Sequence, residues 1–360
     1  MSVEAGDLRM PVAWSEDCLR HEPGGEVWLG LREDGTEVPE RARVILAALQ
    51  AAGARIVPAC SPGDSALESV HDAGLVRHLA GIWAEWEAGG YVSRYGRDRV
   101  VPYVFPTAAM LAGLPERTPA ATHARTGQYC YDTMTLIGPG SWEAIRAAAG
   151  AALTAASLIT AGEPAAYALC RPPGHHAGPA GYGGSCYLNN AALAAQALRQ
   201  QGATKVAVID IDAHHGNGTQ AIFYARPDVF YGSVHVDPAA GWFPHYLGFG
   251  DERGSGPGAG ANRNLPLAPG AGDDEWLTAV ARLCDDARGH GAEAVVLSLG
   301  VDAAAADPES PLQVTAAAYQ AAGELIGALG PVAVIQEGGY DLASLGQYVL
   351  AALAGVQAGA

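Results

Sequence analysis

Basic residues are scarce in this chain: 21 Lys and Arg stand against 38 Asp and Glu in 360 residues, for a formal net charge of −17. Nucleic-acid binding depends on clustered Lys and Arg neutralising phosphates, so no nucleic-acid partner is expected. Acidity on this scale suits a cationic small substrate, although it also serves solubility. Long apolar runs are missing too. The longest uncharged stretch, residues 147–162, is rich in Ala, Thr, Ser and Gly and falls short of the ~20 apolar residues of a membrane helix. A buried helix accounts for it, and no membrane association is expected. Residues 1–10 carry acids and no basic-then-apolar pattern, so no secretory signal is expected. Cysteine is sparse as well. The six, at positions 18, 60, 130, 170, 186 and 284, include no Cys-x-x-Cys pair, which argues against a zinc ribbon and a disulfide framework. These absences point to a reduced, cytoplasmic protein.

What is present describes a globular enzyme, with 49% hydrophobic residues, 16% charged residues and 47 glycines. Apolar strand-like runs recur at 11–14, 55–59, 166–170, 205–212, 229–235, 294–300 and 332–336. Helical patterns cover 38–52, 141–161, 189–201, 273–290, 314–329 and 342–354. Strands that are apolar throughout and alternate with helices predict an α/β fold, with a mostly parallel central sheet covered by helices on both faces. Ligands of such sheets bind beyond the carboxyl ends of the strands. Two stretches break the alternation: a Gly-rich charged insertion at about 24–36 and a long aperiodic region at about 91–138, read as active-site or interface loops. With no linker and no internal repeat, residues 1–360 read as one domain.

The chemistry gathers at predicted strand ends. The run Asp210-Ile211-Asp212-Ala213-His214-His215-Gly216-Asn217-Gly218 follows an apolar strand. Asp212 and His214, two residues apart where the strand runs out, are expected to point the same way. A carboxylate and an imidazole converging in this way suit a divalent metal. Hydrolytic zinc takes three protein ligands and keeps one position open. Asp302, after the buried strand 294–300, is the third candidate, because an acid there must be paired or metal-bound. Arg171-Pro172-Pro173-Gly174-His175-His176-Ala177 supplies a tandem histidine pair for general acid–base chemistry. Such histidines need an acceptor on the other ring nitrogen, and Asp210 and Asn217 are the expected partners. An Asn adds no charge, so its His should be held less strongly as a cation. In Gln336-Glu337-Gly338-Gly339-Tyr340, two glycines allow a sharp turn that presents Tyr340 as an oxyanion donor.

These motifs, with CYLNNAA, SVHVDP and SLGVD followed by DP five residues on, together resemble the arginase–deacetylase superfamily. Within it, the chain is similar to zinc-dependent histone deacetylases and acetylpolyamine amidohydrolases, closest to the class II-like bacterial amidohydrolases. The resemblance runs from about Asp17 to the C-terminus. It implies a deacetylase-type α/β fold, one catalytic Zn2+ on Asp212, His214 and Asp302, His175 and His176 as the catalytic pair with His176 the proton shuttle, and Tyr340 as oxyanion donor. It also implies a structural K+ near Asp210, Asp212, His214, Ser233 and Val234, and a homodimer formed through the 91–138 loop. The implied reaction is hydrolysis of a linear amide, releasing an acetyl or similar acyl group from a small primary amine such as an acetylpolyamine. The alternative is an acyl-lysine protein deacylase. One departure stands out: Ser185 occupies the position before Cys186 where the family carries a tunnel-wall aromatic. The opposite wall is expected from Phe243 or Trp242. Glu309 could select a distal ammonium at the mouth, with Asp17, Glu22 and Glu116 as further candidates.

Two rivals are weaker. An idle binding protein would have lost a ligand, the His pair or the Tyr, and all are present. Binuclear manganese chemistry of the arginase kind needs a second carboxylate where Gly216 stands.

Overall fold

The computed structural model describes residues 8–360; the reading of residues 1–10 as free of a targeting pattern therefore lies, up to residue 7, outside the described residues. Ten strands are described: β1 (Val12–Trp14), β2 (Glu26–Trp28), β3 (Leu31–Glu33), β4 (Ile56–Pro58), β5 (Ala165–Ala168), β6 (Val206–Asp210), β7 (Val229–Val236), β8 (Asn262–Leu267), β9 (Ala294–Leu299) and β10 (Val332–Gln336). Eight of them form one sheet in the order β4-β1-β5-β10-β9-β6-β7-β8, and every pairing in it is parallel.

β5, β6, β7, β9 and β10 are buried at every position. Side chains alternate between faces along a strand, so complete burial requires cover on both sides. Helix Ser141–Thr160 packs on β1, β5 and β10, with Ala144, Ala148, Ala151, Ala152, Ala155 and Ala156 on its buried side. The uncharged stretch 147–162 thus belongs to a core helix, and no described helix is long and apolar enough to cross a membrane. All six cysteines are free.

Three sequence expectations need correction. β8 was not foreseen; its Asn262-Arg263-Asn264 start lacks an apolar run because β8 is an edge strand. The 24–36 insertion is an antiparallel hairpin, β2–β3, turning at Leu29 and Gly30, both at positive φ (47° and 86°) as a two-residue primed turn requires. The 91–138 region holds three short helices, Tyr91–Tyr95, Ala108–Leu111 and Thr122–Tyr129, each too short to leave a helical period. The hairpin is tied to that region by Val27 N–H to the Thr133 carbonyl (3.3 Å) and Thr133 Oγ1 to the Val27 carbonyl (2.6 Å).

Candidate active site

Four adjacent central strands, β5, β10, β9 and β6, deliver the chemistry-bearing segments at their carboxyl ends. The local geometry differs from the expected strand alternation. β6 stops at Asp210, so Asp212 and His214 lie in the loop beyond it. They are aimed by side-chain turns: Asp212 N–H donates to Asp210 Oδ1 (3.2 Å) and His214 N–H to Asp212 Oδ1 (2.9 Å). Likewise β5 ends at Ala168, leaving His175 and His176 on a loop. That loop is pinned by Glu337, whose Oε2 accepts from Gly174 N–H (2.6 Å) and His175 N–H (3.1 Å).

Asp212, His214 and Asp302 offer one donor atom each within 4.8 Å of one another. His214 Nδ1 is 3.0 Å from Asp302 Oδ2 and 3.4 Å from Asp212 Oδ1. The remaining carboxylate oxygens are held by backbone: Gly338 N–H donates to Asp212 Oδ2 (2.8 Å) and Ala213 N–H to Asp302 Oδ1 (2.7 Å). Backbone approaches so closely that glycine is required. A Cβ at Gly300 would stand 2.0 Å from Asp212 Oδ2, and one at Gly338 2.5 Å from Asp302 Oδ2.

Charge balance in this cluster calls for a cation. Burial and the neighbouring Asp212 carboxylate push Asp302 up to about 7. Burial disfavours a charged His214, yet hydrogen bonds and charge from Asp212 and Asp302 outweigh it and hold the ring well above the ordinary imidazole range. Two buried carboxylates and one imidazole with donor atoms this close are a donor set that could hold a divalent metal. A second carboxylate as in a binuclear site has no room at position 216, where a Cβ would stand 2.3 Å from Asp210 Oδ2.

The two histidine rings lie 4.0 Å apart between centroids, tilted by 46°. His175 Nδ1 lies 3.1 Å from Asp210 Oδ2, whereas His176 Nδ1 lies 2.7 Å from Asn217 Oδ1. The two environments drive the rings apart. Burial lowers both, but Asp212 and Asp210 raise His175 to about 10. The His176 ring has the neutral Asn217 as its hydrogen-bond partner, and burial first, then the neighbouring His175 and His214, hold it well below its usual value. The carboxylate partner favours the charged form of His175 and the amide partner leaves His176 the better placed to act as a base, a division typical of acid–base sites.

Tyr340 follows Gly339, whose φ of 123° only glycine adopts readily. Asp307 Oδ2 accepts from Tyr340 N–H (2.6 Å) and Asp341 N–H (3.1 Å), and the Arg41 guanidinium sits 4.5 Å over the Tyr340 ring. Burial raises the Tyr340 hydroxyl and the nearby Arg41 cation only partly opposes this, so the phenol stays protonated. Arg41 also donates to the Gly339 carbonyl (2.6 Å) and the Glu337 carbonyl (2.6 Å). Glu37 anchors it at 3.0 Å and bonds Arg171 at 3.0 Å. Sequence reasoning missed Arg41, Glu37, Asp307 and Glu337 as positioning groups. The DP and EGGY motifs already carried two of them; Arg41 on an ordinary helical pattern and Glu37 just before it gave no sign.

Of the expected wall residues, Phe243 meets the His176 ring edge-on at 4.8 Å, while Trp242 packs against the hydrophobic core. Gly184 lies between His176 and Phe243, and Ser185 N–H is held by Thr135 Oγ1 (2.9 Å). Glu309 Oε1 accepts from Thr36 Oγ1 (2.8 Å), which joins it to the 24–36 hairpin. There Glu26 is raised to about 7 by burial, then by Glu309 and Asp132. Asp17 is exposed and forms a surface pair with Arg20, and Glu116 is also exposed. Ser233 and Val234 are buried on β7, where Ser233 pairs in register with Asp210.

The sequence profile described as Histone deacetylase domain matches residues 35–356. An acetylpolyamine amidohydrolase of Mycoplana ramosa is 42% identical over 351 residues, spanning 96% of this chain and 99% of that protein. The crystal structure of an acetylpolyamine aminohydrolase from Burkholderia pseudomallei superposes with a TM-score of 0.89 at 38% identity, covering 97% of this chain and 99% of that one. Histone deacetylase 8 of Arabidopsis thaliana is 39% identical over 232 residues, 62% of each chain.

Proposed function

This chain belongs to the histone deacetylase domain family, and from that premise we propose that it is a zinc-dependent amidohydrolase that removes an acetyl group from a small acylated amine of the acetylpolyamine class. The observation that carries the reading is the juxtaposition of an Asp212–His214–Asp302 donor set with His176, whose ring is oriented by the neutral Asn217, and with Tyr340. The acetylpolyamine class is favoured over acyl-lysine proteins because the sequence of the relative bearing that name aligns over 96% of this chain at 42% identity, whereas that of the plant deacetylase aligns over 62%.

Asp212, His214 and Asp302 would hold the metal, which when bound supplies Lewis-acid polarisation of a carbonyl and acidifies a water. His176, held neutral and oriented by Asn217, accepts the proton of the water attacking the amide carbon. Tyr340 donates its hydroxyl hydrogen to the oxygen on which negative charge develops. His176 then returns the proton to the departing amine, while His175, fixed as a cation by Asp210, balances the carboxylates beside it. Asp210, Ser233 and Val234, with Asp212 and His214, are the residues for a structural K+ behind this site. The loop at 91–138 is the surface for a homodimer, and the reaction is cytoplasmic. The direct test is product analysis: metal-loaded protein should convert N-acetylputrescine to acetate and putrescine in equal amounts, and an unchanged substrate would count against the assignment.

Glu309 and Glu26 give the mouth its preference for a cationic tail. Replacing Glu309 with alanine should raise KM for N-acetylputrescine by about tenfold, since one partly desolvated ion pair contributes on the order of 1 kcal/mol or somewhat more. kcat should hold, and an uncharged N-alkylacetamide should be unaffected. A pH series adds an independent check. Glu26 is raised to about 7, so it is neutral below that pH and ionised above it. A cationic substrate prefers the ionised form, so KM for the diamine should fall as pH rises from 6 to 8 while KM for the uncharged amide stays level. Parallel profiles for both substrates would remove Glu26 from recognition.

A further inference from the structure

The vacant aromatic position at Ser185 has a structural counterpart two residues earlier along the same loop. Gly183 is covered by the ring of Tyr131: a Cβ there would stand 2.3 Å from Tyr131 Cε2 and 2.4 Å from Cζ. The two segments run side by side. Tyr131 N–H donates to the Tyr182 carbonyl (3.1 Å), Gly184 N–H to Asp132 Oδ2 (2.6 Å) and Ser185 N–H to Thr135 Oγ1 (2.9 Å). At Gly184, the next residue, an added Cβ would meet both His176 and Phe243, at 2.5 and 2.9 Å. Tyr131 is nevertheless 41% exposed as a residue while its ring covers Gly183 beside the site. Its polar end is not free: the hydroxyl donates to the His176 carbonyl (3.0 Å) and faces the Asn217 side chain, the group that orients His176.

We propose that Tyr131 supplies the channel wall that Ser185 lacks, and that its hydroxyl makes this wall a brace for His176 and Asn217. This rests on the amidohydrolase reading above and names a specificity determinant for it. The ring would give an aliphatic amine chain an apolar face opposite Phe243, and the hydroxyl would tie the position of that face to the position of the base. The channel thus keeps two aromatic sides although one has moved to a different segment of the chain. Tyr131 acts on catalysis only through His176 and is therefore a positioning residue.

The two roles separate kinetically. Tyr131→Phe keeps the ring and removes the brace, so kcat for N-acetylputrescine should drop by about fivefold, the worth of one hydrogen bond, with KM unchanged. Tyr131→Ala should show the same loss in kcat and also a roughly tenfold rise in KM, as an aromatic contact surface disappears. Adding Ser185→Phe to Tyr131→Ala should bring KM back toward wild type and leave kcat low. A purely structural role would give none of this split. Tyr131→Leu, which retains bulk, serves if the alanine variant fails to fold and should keep KM within about threefold. An unchanged KM in Tyr131→Ala, with wild type active, would overturn the wall and leave the amidohydrolase reading standing. Wild type silent on every acylated amine would bring down both.

Discussion

Substituting His176 with alanine lowers kcat on N-acetylputrescine by about a thousandfold, within the usual span for losing a positioned general base. The size follows from the environment. Burial, aided by the neighbouring His175, keeps His176 unprotonated, and Asn217 at 2.7 Å holds the ring without adding charge that would favour the cation. Asn217→Asp, by the same reasoning, raises the proton affinity of His176 and shifts the acid limb of the rate profile to higher pH. The check is kcat from initial rates across pH 5.5 to 9, with metal content per chain measured in parallel. A fall of less than about tenfold in His176→Ala at full metal occupancy would mean that another group takes the proton. His175→Ala is the natural contrast: it removes the cation that Asp210 and Asp212 sustain, so it should disturb metal affinity as well as rate.

The second large effect concerns Asp302. Asp302→Ala removes one of two buried carboxylates that flank the same imidazole, and metal content should fall from one ion per chain to near zero, with activity lost alongside. A thermodynamic readout accompanies this. An ion bound at a thousandfold excess over Kd stabilises the folded state by about 4 kcal/mol, so zinc should raise the melting temperature of wild type and leave Asp302→Ala unmoved. Acid should weaken the site. With the metal absent, His214 holds a proton and Asp302 takes one as pH falls through about 7. Binding requires both groups deprotonated, so affinity should be lower at pH 6 than at pH 8. Equal zinc-induced shifts in wild type and variant would place the ion elsewhere.

Legibility of the fold tracked burial. Strands buried on both faces, such as Val206–Asp210 and Ala294–Leu299, announce themselves as apolar runs. β8 does not, because its Asn262 and Asn264 pair with Gln220 and loop backbone at the sheet edge. Local motifs named the residues that the structure gathers at the carboxyl ends of four strands. They could not give the mechanism of gathering: Asp212 and His214 converge through side-chain turns after the strand has ended. Contacts between distant segments were the least visible. Arg41 reaches the Gly339 carbonyl across 298 positions of sequence, and a buried Arg inside a helical pattern looks like any solvated one. Tyr131 against Gly183 belongs to the same kind; the loss of an aromatic at 185 was plain, and where another ring stands was a matter of tertiary packing.

The most direct measurement is kcat/KM for N-acetylputrescine and for an acetyl-lysine peptide, on one preparation of zinc-loaded protein. The account predicts acetate release from both substrates or from N-acetylputrescine alone, with N-acetylputrescine favoured by at least about tenfold, the range open to one well-placed recognition contact. A peptide preferred by the same margin, or no acetate from either with zinc bound, would contradict it.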